Sequence, residues 1–369
     1  MQTNHPIYLD HNASTPLKPQ VKSAMFEVMD APSNASAMHK FGRNARMQVE
    51  GARQKLADAI GAKPDSIIYT SGAPEANNTV FMNFFDLPII SSTIEHPTVM
   101  AALPHDQLQL LPVTTKGLIE VDKLEKALKY AEAPALISII WVNNETGVVQ
   151  PMDDIKALAK KYKALLHTDA SQAFGKMDVS FVGFDLMTLS SHKIGGPQGV
   201  GALVVRPDLD IEPFIVGGGQ EKNRRAGTEN VTGIVGFGTA AELAVQNLKE
   251  YQKLSVWRDE IETEIQNISS QTIFYGQGAP RVANTTMFAT PDFAADTQVI
   301  NLDLEGIAVS NGSACSSGRV EPSRILKAMG AYDEMAASAI RVSMGWNTSH
   351  DDIKNFIQVW KKIYQRVTS

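Results

Sequence analysis

Lys193 stands where an apolar run gives way to polar and flexible residues, for Leu186 to Gly201 reads LMTLSSHKIGGPQGVG. Two serines, a histidine and a lysine end the run, and glycine and proline then open the backbone. That is the pattern of a strand delivering side chains into a cleft. A lysine at such an exit loses its proton to desolvation and nearby cations, and a neutral amine condenses with an aldehyde to a Schiff base. Ser190 and His192 are suited to donate to a phosphate. Aldehyde plus phosphate suggests pyridoxal phosphate. A surface lysine in a Gly-rich loop is the competing explanation.

Asp169 lies in ALLHTDASQAFG, Ala164 to Gly175, where Ala164 to His167 reads as an apolar strand followed by Asp169, Ser171 and Gln172. Two strands thus end at a common edge, and in an open parallel sheet ligands bind beyond the carboxyl ends of the strands. A carboxylate against a pyridine nitrogen keeps it protonated and lets the ring draw electrons. The alternative for Asp169 is a helix N-cap.

The elements that must position these groups follow from pattern. SIIYTSGAPEANN, Ser66 to Asn78, is strand, glycine turn and helix start, so Gly72 and Ala73 are candidates for a phosphate cradle of backbone N–H groups. Pro74 offers neither hydroxyl nor N–H there, although proline suits a first helical position. His96 follows a strand over Ile89 to Ser92, and its imidazole can stack on a pyridine ring and relay protons near neutral pH as a catalytic residue, or serve a structural role. Ala135 to Val142 reads as a buried strand stopped by Asn143, Asn144 and Gly147. Helices are expected over Lys18 to Met29, Gly42 to Ile60 and Met152 to Tyr162. Strand and helix alternate from Ser66 to Val205, the signature of a mostly parallel, doubly wound α/β sheet.

Beyond the donor-rich loop GGGQEKNRRAGTEN, Gly217 to Asn230, the pattern is helical from about Asn230 to Ile268. Short strands in VANTTMFATP and around Ile307, with a helix over Ala295 to Leu304 between them, have the composition of a small α+β domain. Arg341 lies on a strand, where its guanidinium can grip a carboxylate or make a structural ion pair. A helix over Asp351 to Val367 follows.

With 369 residues, two domains are the prior. A net charge of −6 without a dense basic block argues against nucleic acid as the main partner. No apolar run approaches the length that spans a bilayer, so no membrane is implied. Cys315 is the single cysteine, which excludes an internal disulfide and a zinc site of several thiolates. No metal is expected, and a reducing, cytoplasmic setting fits. Cys315 sits in SNGSACSSGRVEPS, where few apolar residues anchor the chain and a thiol is accessible.

DASQ, SSHK, GGGQEKNRRAGTEN and SNGSACSSG, in that order, resemble the cysteine desulfurases of the NifS/IscS type, pyridoxal-phosphate enzymes of the class V aminotransferase family. The resemblance runs from YLDHNASTP at Tyr8 to IRVSMG at Ile340. It implies a fold-type I transferase, with a large domain around a mostly parallel seven-stranded sheet and a smaller α+β domain. The expected division is 15–252 for the large domain, and 1–14 with 253–369 for the small domain carrying the Cys315 loop. The implied activity is conversion of L-cysteine to L-alanine, the sulfur passing to Cys315 as a persulfide for an acceptor protein. By the same resemblance Lys193 binds pyridoxal 5'-phosphate, Asp169 faces the ring nitrogen and Gln172 the phenolic oxygen. His96 covers the ring, Asn144 touches the phenolic oxygen and, with Arg341, the substrate carboxylate, and Thr228 reaches a neighbouring subunit's phosphate in a homodimer. Another class V enzyme, such as a selenocysteine lyase or an aminotransferase, and a degenerate non-catalytic subunit are the alternatives.

Overall fold

Short runs of branched and apolar residues bounded by glycine and polar turns form the strands. In a computed structural model, residues 6–31, 34–102, 108–132, 134–311 and 322–368 are described. The strands are β1 (Ile7–Tyr8), β2 (Ile67–Thr70), β3 (Ile89–Ser92), β4 (Leu108–Leu111), β5 (Leu136–Ser138), β6 (Leu165–Asp169) and β7 (Leu186–Ser190). They continue with β8 (Gly201–Val205), β9 (Ile273–Phe274), β10 (Thr285–Ala289), β11 (Ile307–Ala308), β12 (Ser310–Asn311) and β13 (Ala339–Ser343).

Among the described residues the large sheet has seven strands in the order β2-β8-β7-β6-β5-β3-β4. All its pairings are parallel except those of β8, which runs antiparallel to both β7 and β2. A parallel neighbour to β7 would need a helical crossover, and the glycine-rich stretch 191–200 supplies a return instead. The start of β8 therefore lies at the same edge as the ends of the other strands. Gly201 is needed there, because a Cβ would meet the Gly72 backbone at 2.8 Å.

Alternate residues of each strand face opposite layers. Ile67, Tyr69, Ala202 and Val204 pack with helices Pro19–Met29, Lys40–Ile60 and Val231–Gln246, while Ile68, Leu203 and Val205 pack with helix Ala73–Asn83. A separate core of Leu9, Ile261, Phe288, Ile340, Phe356 and Trp360 surrounds the small antiparallel sheet β12-β13-β10-β9. The first segment joins this second core, since β1 pairs in parallel with β11 and Asp10 bridges to Ser343.

Several expected elements shift. The strand over Ala135 to Val142 is regular only in β5, because Ile140 N donates to the Glu95 carboxylate at 3.0 Å instead of a neighbouring strand. The strand over Ala164 to His167 extends to include Asp169, so the acid is the last residue of β6. The long helix over Asn230 to Ile268 breaks into Val231–Gln246, Leu248–Gln252 and Leu254–Ile268, with Asn247 at φ −100° and ψ 9°. The helix expected from Gly42 begins at Lys40, since the His39 ring caps it by accepting from Gly42 N at 3.2 Å. No helix among the described residues is long and apolar enough to cross a membrane.

Candidate active site

The carboxyl ends of β2, β3, β6 and β7 and the start of β8 enclose a cavity of about 460 Å³. Lys193, Asp169, Gln172, His96, Asn144, Gly72, Ala73, Ser190, His192 and Arg341 all line it, which brings together ten of the residues singled out from the sequence. Thr228 is exposed and does not line it, and Cys315 lies outside the described residues.

Lys193 ends a short 3-10 turn, Ser191–Lys193, directly after β7. Its Nζ donates to Asn12 O at 2.8 Å and Ala13 O at 2.9 Å. Asp169 is 5% exposed; Oδ1 accepts from Ser171 N at 2.9 Å and Oδ2 from Asn77 Nδ2 at 3.0 Å. Only turns follow β6, so Asp169 caps no helix and instead braces its own turn.

His96 accepts from Thr98 N at its Nδ1, at 3.2 Å, which leaves Nε2 as the nitrogen carrying the proton in the neutral ring. Burial lowers its pKa, Lys193 and Arg324 act in the same sense, and Asp169 opposes them. A neutral, buried imidazole suits stacking. His192 is brought down to about 4 by burial and then by Lys193, and its Nδ1 lies 3.2 Å from Ser14 Oγ.

The expected cradle narrows. Ser71 N is taken by Glu75 Oε2 at 2.7 Å, and Gly72 N faces Thr70 Oγ1 at 3.4 Å. Ala73 opens helix Ala73–Asn83, so its amide has no intrahelical partner. Ala73, Ser190 and His192 are then the donors best placed for an anion.

Arg341, 2% exposed on β13, donates from Nη2 to Asp10 Oδ1 at 2.5 Å and from Nη1 to Asn144 O at 3.1 Å. The structural ion pair foreseen as an alternative is therefore real. Arg341 Nε, Asn144 Oδ1 and Ser171 Oγ nevertheless remain buried without protein partners. An unsatisfied buried polar group costs about 1–3 kcal/mol, so three lining one cavity mark a place for a polar ligand. A carboxylate, an amine, amides and N–H and O–H donors suited to an anion line its walls, which fits pyridoxal phosphate together with an amino acid.

Four residues that sequence reasoning passed over complete the site. Asn12 is a buried hub whose side chain donates to Asn144 O at 3.0 Å and Thr285 Oγ1 at 2.9 Å, while its carbonyl serves Lys193 and Gln172 Nε2. Asn77 joins Asp169 to Thr98 Oγ1, at 2.9 Å. Lys176 Nζ donates to Asn12 Oδ1 at 2.5 Å. Glu95, beside His96, is fully buried, and Arg324 donates to its carbonyl at 2.5 Å.

The aminotransferase class-V family model matches residues 7–356. A cysteine desulfurase IscS of Dictyoglomus turgidum is 39% identical over 98% of this chain and 95% of its own length. An IscS-like cysteine desulfurase of Mycobacterium tuberculosis is 33% identical, over 95% and 94% respectively. Among solved structures, a NifS-like protein from Rickettsia africae superposes with a TM-score of 0.91 at 36% identity, covering 98% of this chain and all of the other. A structure described as SspA in complex with cysteine gives 0.79 at 31% identity, covering 92% and 98%.

Proposed function

The chain belongs to the class V aminotransferase family, among its cysteine desulfurases, and we propose that it carries the sulfur of L-cysteine on Cys315 as a persulfide. Pyridoxal 5'-phosphate, when bound, supplies an electrophilic carbon for the substrate amine and a ring that withdraws electrons from it.

Lys193 would hold the cofactor through Nζ, and its amine would move protons at the substrate α-carbon. Asp169 would keep the ring nitrogen protonated, Gln172 would donate to the phenolic oxygen, and His96 would cover the ring face. Ala73, Ser190 and His192 would receive the phosphate, at the turn where Gly72 N already faces Thr70 Oγ1, with Thr228 of a second copy of the chain closing the site in a homodimer. Arg341 Nε and the NH2 of Asn144 would donate to the substrate carboxylate, while Asn144 Oδ1 is left to accept from a polar donor of the ligand. The Cys315 thiolate forms a sulfur–sulfur bond as the substrate's carbon–sulfur bond breaks, and the electron pair left on carbon takes a proton. L-Cysteine and a thiol thus become L-alanine and a persulfide, with no outside oxidant, and a sulfur-acceptor protein discharges it. The domain division at residues 14/15 and 252/253 belongs to the same reading.

What supports it most is one observation: Lys193 and Asp169 face a single cavity whose buried Arg341 Nε and Asn144 Oδ1 lack protein partners. The test is alanine and sulfide formation from L-cysteine under reducing conditions. Cys315→Ala should lower alanine formation by about 100-fold or more, the scale of losing a nucleophile. Unchanged turnover would replace the persulfide route with direct elimination. Pro74→Thr should tighten cofactor binding about tenfold, the contribution of one regained charge-assisted hydrogen bond, by equilibrium titration.

A further inference from the structure

Lys176 is a buried amine beside the cavity to which the proposed chemistry gives no task. It is 2% exposed and lies four residues after Gln172, in the turn that follows β6. Its Nζ donates to Asn12 Oδ1 at 2.5 Å and to Gln172 Oε1. The other end of that amide, Gln172 Nε2, donates at 2.9 Å to Asn12 O, the carbonyl that also accepts from Lys193.

A glutamine amide can sit either way round, and its neighbours decide which. An ammonium only donates, so Lys176 draws Gln172 Oε1 to itself and turns the NH2 toward Asn12 O and the cavity. Burial first, and then the Lys193 and Arg341 charges, hold Lys176 well below the ordinary lysine range. The neutral amine still has two hydrogens for the two acceptors, Asn12 Oδ1 and Gln172 Oε1, so either charge state gives the same orientation. His11 is the other titratable group that feels Lys176.

We propose that Lys176 is a positioning residue that locks the Gln172 amide, so that the second Nε2 hydrogen is presented to the phenolic oxygen of the bound cofactor. Turned round, the amide would set its oxygen against an anionic oxygen. The inference rests on the role given to Gln172 above.

The test is the pH titration of the visible band of the lysine-bound cofactor in the purified full-length protein. A hydrogen bond to an anionic oxygen favours its unprotonated form, so losing the bond raises the titration midpoint. Gln172→Leu should raise it by about one pH unit, and Lys176→Met by a similar amount. The double variant should shift no further than Gln172→Leu alone, because both remove one interaction. Lys176→Gln, which keeps an amide donor and the side-chain bulk, should return the midpoint toward wild type. It also serves should Lys176→Met fail to fold: a shift as large as that of Gln172→Leu would overturn the lock. So would an unmoved midpoint in Lys176→Met, or full additivity in the double variant. No visible band even with added pyridoxal phosphate would instead overturn the cofactor reading, and the lock with it.

Discussion

Glu95 sits fully buried at the foot of the turn that carries His96. Burial pushes its carboxyl from 4.5 up to about 8, against hydrogen bonds from Ser92 Oγ at 2.5 Å and Ile140 N at 3.0 Å. Between those values the folded chain holds a proton that the unfolded chain has lost. The associated stability is complete below 4.5 and disappears as pH rises through about 8. Glu95→Gln should therefore unfold at a higher urea concentration than wild type at alkaline pH, with the gap closing on the acid side; a gap independent of pH would refute the assignment. Arg341→Lys should raise KM for L-cysteine about tenfold with a smaller change in kcat, because an ammonium cannot serve Asp10, Asn144 O and a substrate carboxylate as a planar fork does. Lys193 and Asp169 were legible because each ends an apolar run and changes its chemistry within a few residues. Asn12 and Asn77 were not, since their meaning depends on partners far along the chain, such as Asn284 for Asn12 and Asp169 for Asn77. Asn77 did leave a trace: it shares a helix face with buried Val80 and Phe81, at a position the apolar pattern reserves for the core.

The segment from Gly217 to Asn230 is held in an unusual shape, with Glu221, Lys222 and Asn223 at φ +46°, +57° and +66°. Such backbone persists only when its surroundings over-determine it. Here Arg53 grips both Glu221 oxygens at 2.9 Å, and Arg225 grips Glu75 at 2.9 and 3.2 Å, beside the proposed phosphate cradle. Arg53 and Glu221 are both buried, so Arg53→Met, which strands a carboxylate, should cost about 3–5 kcal/mol in urea denaturation. Arg53→Met with Glu221→Leu should recover most of that loss. Strand and helix spans such as Ile89–Ser92, Met152–Tyr162 and Ala295–Leu304 were readable from pattern alone. The shortening of β5 was not, because a side chain, Glu95, replaces a strand as the partner of Ile140. Periodicity says nothing about such a substitution.

At the scale of the molecule, the cavity lies where two separate cores meet: Lys193 and Asp169 come from the large sheet, and Arg341 from the small one. Thr228 is exposed and does not line this cavity, so the role proposed for it rests on the proposed homodimer. Thr228→Val should weaken cofactor binding about tenfold while leaving the sedimentation coefficient unchanged. Unaltered affinity would mean that the site is not shared. Residues 7–12 stitch the cores together, Asn12 N to Ser343 Oγ at 3.0 Å and Leu9 O to Ser343 N at 2.8 Å. Those contacts join positions 331 and 334 residues apart. Early-made backbone must therefore wait for late-made backbone during translation. At about 5–20 residues per second the delay is roughly 15–65 s. Until β13 has left the ribosome, Asn12 N has only water in place of Ser343 Oγ, and Arg341 cannot reach Asp10 or Asn144. Nascent chains arrested before Ala339 should fail to retain the vitamin, and its capture should begin only as that last strand docks.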